Sequence, residues 1–289
     1  MSGPLFSCVI PVKGDRPFFK DALASLEAQC MGEELEVIVQ DGTTEYTECT
    51  EIPEGLNVQW FRERDVGQSD ALNKGFAKAK GEWLFWLNAD DVLLPGALKK
   101  VCELISSHAP STSDEVTQAP STSAAKPHES TLSWIAGNQL LIDDAGKVSK
   151  CSVGNGWHNW LYRNAVPHVY GPSAFFRREL FEKVGGFDAN LKYCMDWELW
   201  IKFMQAGAKF IRINDYLWAQ RQWSGSKTQR PLTKEEWDEQ QGEIRRMLAK
   251  NGLVVTKWGT FKTRLWRMMN GNYLQEAIDT FRMRGRCVS

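Results

Sequence analysis

The chain has 289 residues, a net charge of −1 and 43% hydrophobic residues. That apolar share excludes a wholly disordered chain, and the length suffices for a large α/β domain with a substantial core. The near-zero charge speaks against a nucleic-acid partner, whose binding rests on neutralised phosphates, and no run of about 18 apolar residues offers a transmembrane helix.

In chain order, Leu5 to Val12 is an apolar strand run. Pro17, with Asp15 just upstream, marks a helix start. Phe18, Ala22, Leu23, Leu26 and Cys30 then recur at helical spacing. Leu35 to Val39, Asn57 to Phe61 and Trp83 to Leu87 are further strands, while Ser69 to Ala79 and the segment from Pro95 to Ser106 read as helices. This alternation predicts a Rossmann-like, mostly parallel central sheet flanked by helices. Ligands of such sheets bind beyond the carboxyl ends of the strands. Polar clusters stand at all four ends: Lys13 to Asp15, Asp41 with Gly42, Asp65 to Ser69, and Asn88 to Asp91.

Ser107 to Thr131 is rich in Ser, Thr, Ala and Pro and repeats "APSTS", so a disordered insertion is expected there. Trp134 to Ile142 resumes the strand pattern and ends in a hairpin-type turn at Asp143 to Gly146. Trp157 to Arg163 reads as a short helix, Gly171 to Arg177 as a strand, and Glu179 to Val184 and Asp196 to Gln205 as helices. Lys209 to Ile213 and Tyr216 to Gln220 read as two strands, and from Thr233 the pattern is helical. The expected organisation is a catalytic-type domain over 1–230 with a C-terminal helical extension over 231–289. The seven cysteines are odd in number, scattered and without a CxxC pair. They suggest reduced thiols in the cytoplasm rather than a zinc or disulfide framework. The N-terminus carries no basic leader, so no signal peptide is expected.

Trp83 to Leu87 runs straight into Asn88-Ala89-Asp90-Asp91. Carboxylates at a strand end suit a hard divalent cation carried with a diphosphate. The same residues also suit an Asx-turn or a helix cap. The stretch "LFWLNADDVLLPGAL" resembles the Asp-x-Asp region of family-2 glycosyltransferases of the GT-A fold. "CVIPVKGDRPFFKDALASLEAQ", "EVIVQDGTTEYT" and "RERDVGQSDALNKGFAKAKGEWLFWLNADD" resemble the family's preceding segments, in order. "YGPSAFFRRELFEKVGGFDANLKYCMDWELWIKF" and "RQWSGSKT" resemble its acceptor-side half.

The resemblance implies inverting transfer of a sugar from a nucleotide-diphospho-sugar, foremost a UDP-linked one, to a glycan or lipid-linked acceptor. It implies that Pro11, Val12 and Lys13 line the base and ribose, and that Asp41 and Asp65 bond the base. Ser69 and Asn73 lie near the ribose or diphosphate, though Ser69 also suits a helix cap. Asn88 and Ala89 contact the donor, and Asp90 and Asp91 hold Mn²⁺ or Mg²⁺. Arg221 and Ser226, with Lys227 and Thr228, reach the diphosphate. Two departures stand out: Asn88 replaces the first acid of Asp-x-Asp, and Trp223 occupies the place of a usual His. Asp196, in the first turn of its helix, is the expected general base, since an attacking hydroxyl must lose its proton to a positioned carboxylate. His168, a few residues before Gly171-Pro172-Ser173, fits either a structural or a functional role.

Lys257, Lys262, Arg264, Arg267, Arg282, Arg284 and Arg286 interleave with Trp258, Phe261, Leu265, Trp266 and Met269. Such helices suit either packing on the domain or peripheral association with the inner face of a membrane. Two further readings stay open. One is a nucleotidyltransferase; the other is a non-catalytic sugar-nucleotide-binding partner in glycan assembly.

Overall fold

Phe6–Val12 forms β1, and its alternation feeds two cores. Phe6, Cys8, Ile10 and Val12 pack on one face of the sheet and Val9 on the other, as the two-residue period of a strand dictates. A strand buried on both faces reads as a continuous apolar run, which is why this one is conspicuous in the sequence. The computed structural model describes residues 3–14, 16–43, 52–108, 132–156, 168–226 and 231–288. Asp15, most of the Ser/Thr/Pro insertion, the expected helix at Trp157 to Arg163, and Lys227 and Thr228 lie outside them.

Beyond β1 come α1 (Phe19–Glu27), β2 (Leu35–Asp41), β3 (Asn57–Arg62), α2 (Gln68–Phe76), β4 (Trp83–Trp86), β5 (Val92–Leu93) and α3 (Ala97–Ser107). Then follow β6 (Leu132–Ile142), β7 (Val148–Ser152), β8 (Ala174–Arg177), α4 (Arg178–Lys183), α5 (Met195–Gln205) and β9 (Lys209–Arg221). Three helices close the described chain: α6 (Lys234–Lys250), α7 (Lys257–Met269) and α8 (Asn272–Met283).

The strands lie in the order β3-β2-β1-β4-β8-β6-β9-β5, with β7 on β6. The half from β3 to β4 is parallel, as the strand–helix alternation implies. The other half is mixed: β8 runs antiparallel to both β4 and β6, whereas β6 and β9 are parallel. Two expected strands are one. Lys209–Arg221 is continuous, and it shifts register against β6 between Ala136 and Asn138. Gly171 to Ser173 forms a 3-10 turn, so strand β8 starts only at Ala174. Pro172 lacks the N–H that a ladder would need.

Aromatic side chains fill the second core. The Trp200 ring stacks on Trp134 with centroids 4.9 Å apart and on Trp86 at 6.1 Å. Trp83, Trp86, Trp134, Trp197, Trp200 and Trp218 are all buried. Much of the tryptophan content is therefore core, and Trp86 and Trp218 also reach a cleft wall.

The C-terminal helices are fastened to this body. Glu243 of α6 accepts backbone N–H bonds from Lys192 (2.9 Å), Tyr193 (2.7 Å) and Cys194 (3.0 Å), at the entrance to α5. Past α8 the chain returns to β7, where Val148 N–H donates to Arg286 and Gly285 N–H donates to Val148.

Candidate active site

Two clefts open beyond the carboxyl ends of β1 and β4. The first, of 380 Å³, is bounded by Pro11 to Lys13 and Arg16, by Asp65 and Gln68, by Asn88 to Asp91, and by Gln220, Arg221, Trp223 and Ser226. The second, of 660 Å³, is walled by Trp86, Trp218, Tyr170 to Pro172, Tyr193 and Asp196, with Glu236 and Gln240 of α6. Both clefts share Gln68, Asn88 and Gln220, so they meet there. Gln68 donates to Asn88 Oδ1 at 2.9 Å, and Gln139 donates to Gln220 Oε1 at 2.9 Å. The sequence reading missed this glutamine seam. Gln68 lies within the RERDVGQSDALNKGFAKAKGEWLFWLNADD segment, but nothing in its residue type sets it apart.

Pro11, Val12, Lys13, Asp65, Asn88, Ala89, Asp90, Arg221 and Ser226 all border the first cleft. Asp65 lies close over Gly42: a Cβ there would stand 1.7 Å from Asp65 Oδ2. Asp41 is fully buried behind the wall. Burial pushes its carboxyl up, but the Thr43 hydrogen bonds and the Arg16 and Arg62 charges outweigh this and leave it below the ordinary carboxylate value. Asp41 faces Arg16 of the cleft wall, whose guanidinium is 3.9 Å away and also faces the Trp60 ring.

Ser69 and Asn73 do not border the first cleft. The Ser69 hydroxyl donates to Leu191 O at 2.8 Å, and Asn73 exchanges two hydrogen bonds with the Phe187 backbone, at 2.9 and 3.0 Å. They pin α2 to the loop that leads into α5. Ser, Asn and a helix start suit such pinning as well as ligand contact, and only the tertiary partner separates the two.

The acidic turn divides its labour. Asp90 is half-buried on the cleft wall, and its Oδ2 accepts the Trp223 indole N–H at 2.9 Å. Asp91 borders the cleft but is 1% exposed. It accepts from Asn88 Nδ2 at 2.7 Å and from Arg221 N–H at 2.9 Å. Burial, aided by the Asp90 charge, pushes its carboxyl up to about 8. Both of its oxygens are thus engaged within the turn, so Asp91 is placed to hold the turn, and Asp90 is the acid of the expected pair that the cleft wall presents half-buried. Arg221 is likewise committed. Its guanidinium donates to Asp21 (2.8 Å), Asp90 O (3.1 Å) and Asp144 O (2.9 Å) and lies over the Phe18 ring. It braces the turn where a diphosphate clamp was expected.

Asp196 borders the second cleft at the first turn of α5, and its Oδ1 accepts the Trp197 N–H at 2.8 Å. Glu198 points into the protein, with ion pairs to Lys202 (3.0 Å) and Lys250 (3.2 Å). Burial, and then the Arg267 charge, lower the His168 imidazole to about 4. A neutral ring outside both cleft walls points to the structural role.

A family model, glycosyl transferase family 2, matches residues 7–185. The chain belongs to that family. An uncharacterized glycosyltransferase of Rickettsia typhi is 24% identical over 208 residues, covering 72% of this chain and 61% of its own length. The family-2 chain thus spans about three-fifths of that relative. A PGL/p-HBAD biosynthesis glycosyltransferase of Mycobacterium bovis is 26% identical over 212 residues, 70% of either chain. Among solved structures, S. aureus TarS in complex with UDP-GlcNAc aligns with a TM-score of 0.57 at 15% identity, over 84% of this chain and 65% of that one. A mannosyltransferase from Pyrobaculum calidifontis, in complex with GDP-Man and Mn²⁺, aligns at 0.52 and 17%, over 86% and 64%. These two show the GT-A fold of the family-2 chain, in agreement with the resemblance read from its motifs.

Proposed function

We propose that the family-2 chain is an inverting glycosyltransferase that moves a sugar from a nucleotide-diphospho-sugar, foremost a UDP-linked one, to a hydroxyl of a glycan or lipid-linked acceptor. The observation that carries this reading is the meeting of the two clefts at Gln68, Asn88 and Gln220, with Asp90 on one wall and Asp196 on the other. A transfer reaction needs donor and acceptor brought to one seam in a fixed orientation.

In this reading Pro11, Val12 and Lys13 line the base and ribose, with Asp65 beneath. Asn88, Ala89 and Ser226 border the sugar and diphosphate. Asp90 would hold a divalent cation. The donor set fits one that arrives with the diphosphate, because Mg²⁺ and its relatives are commonly held by one or two carboxylates plus phosphate oxygens. It does not fit a cage of protein ligands: among the described residues no group of three or more His, Cys, Asp or Glu could hold a metal. When bound, the cation supplies electrostatic stabilisation to the leaving diphosphate. Asp196 accepts the proton of the acceptor hydroxyl as it attacks. The buried rings of Trp86 and Trp218 give the acceptor an apolar wall beside that carboxylate.

A thermal-shift panel of UDP, GDP and CDP with Mn²⁺, run on wild type and Asp196→Asn, tests the reading. One nucleotide class raises the stability of both proteins, and the variant loses transfer. A variant that transfers like wild type removes Asp196 as the base. No shift with any nucleotide removes the donor cleft.

A further inference from the structure

Nine of the thirteen exposed large hydrophobic side chains among the described residues lie on the α7–α8 hairpin. In α7, Gly259, Thr263 and Arg267 are buried against the body. Trp258, Phe261, Leu265 and Met269 lie on the opposite side at helical spacing, and Met269 is 77% exposed. In α8 the outward residues include Leu274, 65% exposed, and Phe281, 87% exposed. This apolar face is edged by the exposed cations Lys257, Lys262, Arg264 and Arg282, and the segment just after α8 adds the exposed Arg284 and Arg286. Lys262 Nζ lies over the Trp258 ring, which stacks on Phe261.

The acids are turned away. Residues 257–288 contain two, Glu276 and Asp279. Glu276 pairs with the buried Arg267 at 2.6 Å and accepts the Val153 N–H at 2.8 Å, while Asp279 accepts the Tyr216 hydroxyl at 2.8 Å. An outward face of aromatic and long apolar side chains, edged by cations and bare of carboxylates, has the composition of a helix lying in a bilayer interface. A second copy of the chain would fit it poorly, because a two-fold contact sets each cationic face against its twin.

We propose that the α7–α8 hairpin is a docking surface for an anionic phospholipid bilayer. This goes beyond the motifs, which leave both packing and membrane association open, and it stands independently of the transferase reading. The hairpin also has a fixed relation to the second cleft. Arg267 donates to Val153 O at 3.0 Å and to Asn155 Oδ1 at 2.6 Å, and Asn155 N–H donates to His168 O at 2.9 Å. Two residues on, Tyr170 enters the cleft wall. A bilayer under the hairpin is thereby held at a set position relative to the acceptor side, as an acceptor on a lipid carrier requires.

Flotation of the full chain with phosphatidylcholine vesicles, alone or with roughly one-third phosphatidylglycerol, tests the surface. The chain should float with the anionic vesicles and less so as salt rises. Leu274→Ser with Phe281→Ser should lower the partition coefficient about tenfold or more. Lys262→Glu with Arg264→Glu and Arg282→Glu should lower it about fivefold or more per cation. Both variants should keep the melting temperature and any nucleotide shift of wild type. Wild type that ignores anionic vesicles, or variants that float like wild type, overturn the proposal. So does a concentration-dependent dimer that the serine variant dissolves without any vesicle binding. Vesicle binding without a nucleotide shift keeps the surface and removes the transferase reading.

Discussion

The Trp223 indole N–H donates to Asp90 Oδ2 at 2.9 Å. The same ring meets Phe18 edge-on at 5.5 Å, and a Cβ at Gly225 would come within 2.2 Å of it. The indole is thus held on both sides, and through it the carboxylate. A partner that fixes the orientation of a metal-binding carboxylate usually sets its affinity. Trp223→Phe keeps the ring and removes the N–H, so Mn²⁺ binding in the presence of UDP should weaken about tenfold. Titration calorimetry reads this directly, and an unchanged affinity would detach Trp223 from the cation.

Glu243 makes a comparable connection at the other wall. Its carboxylate gathers three backbone N–H groups just ahead of the helix that carries Asp196. Glu243→Ala leaves these donors without their acceptor at a buried site and should cost about 3 kcal/mol. Turnover should fall as the Asp196 turn loosens, while the nucleotide-induced thermal shift persists. Glu243→Gln retains part of the network and should recover part of both. Urea melts and single-turnover rates on the three proteins check this; a stability loss without any loss of rate would confine Glu243 to the fold.

Gly171 lies in the wall of the second cleft. A Cβ there would sit 2.5 Å from Trp86 Cζ2, and Trp86 is itself wedged against Trp200 and Phe187. Overpacking of this kind costs about 1–3 kcal/mol. Gly171→Ala should therefore displace Trp86 into the second cleft, raising the acceptor KM and leaving the donor KM in place. An equal change in both constants would mean that the displacement reaches the seam.

The parallel half of the sheet was legible because β1, β2 and β4 are buried on both faces and leave mostly apolar runs, interrupted only by Ser7 in β1 and by Glu36 and the polar end of β2. The acidic turn was legible because Asn88 to Asp91 ends such a run. What decides roles within the site was not. Asp90 and Asp91 are the same residue type one position apart, yet Asp90 stands half-buried on the cleft wall while Asp91 is buried and held by Asn88 and the Arg221 N–H. Ser69 and Asn73 read as ligand contacts until Leu191 and Phe187, more than 110 residues away, supply their partners. The antiparallel insertion of β8 likewise depends on long-range pairing with β4 and β6 that no local pattern encodes.

Asp91 and His168 pull stability in opposite directions. In the folded chain Asp91 titrates near about 8 against an ordinary 3.8, so between these values the folded state holds a proton that the unfolded state has lost. Its contribution to stability falls as pH rises through that window. His168 titrates near about 4 against 6.5, so its contribution grows between those values and is constant above them. Each slope is at most about 1.4 kcal/mol per pH unit. The two offset one another up to about pH 6.5, and above it only the Asp91 slope remains. Wild type should lose about 2 kcal/mol between about pH 6.5 and 8. Asp91→Asn should be flat across that interval, whatever offset its altered hydrogen bonds introduce. Urea midpoints at constant m-value measure the slope. A flat wild-type profile would show that Asp91 is already ionised in the folded chain, and would return it to the acids available to a cation.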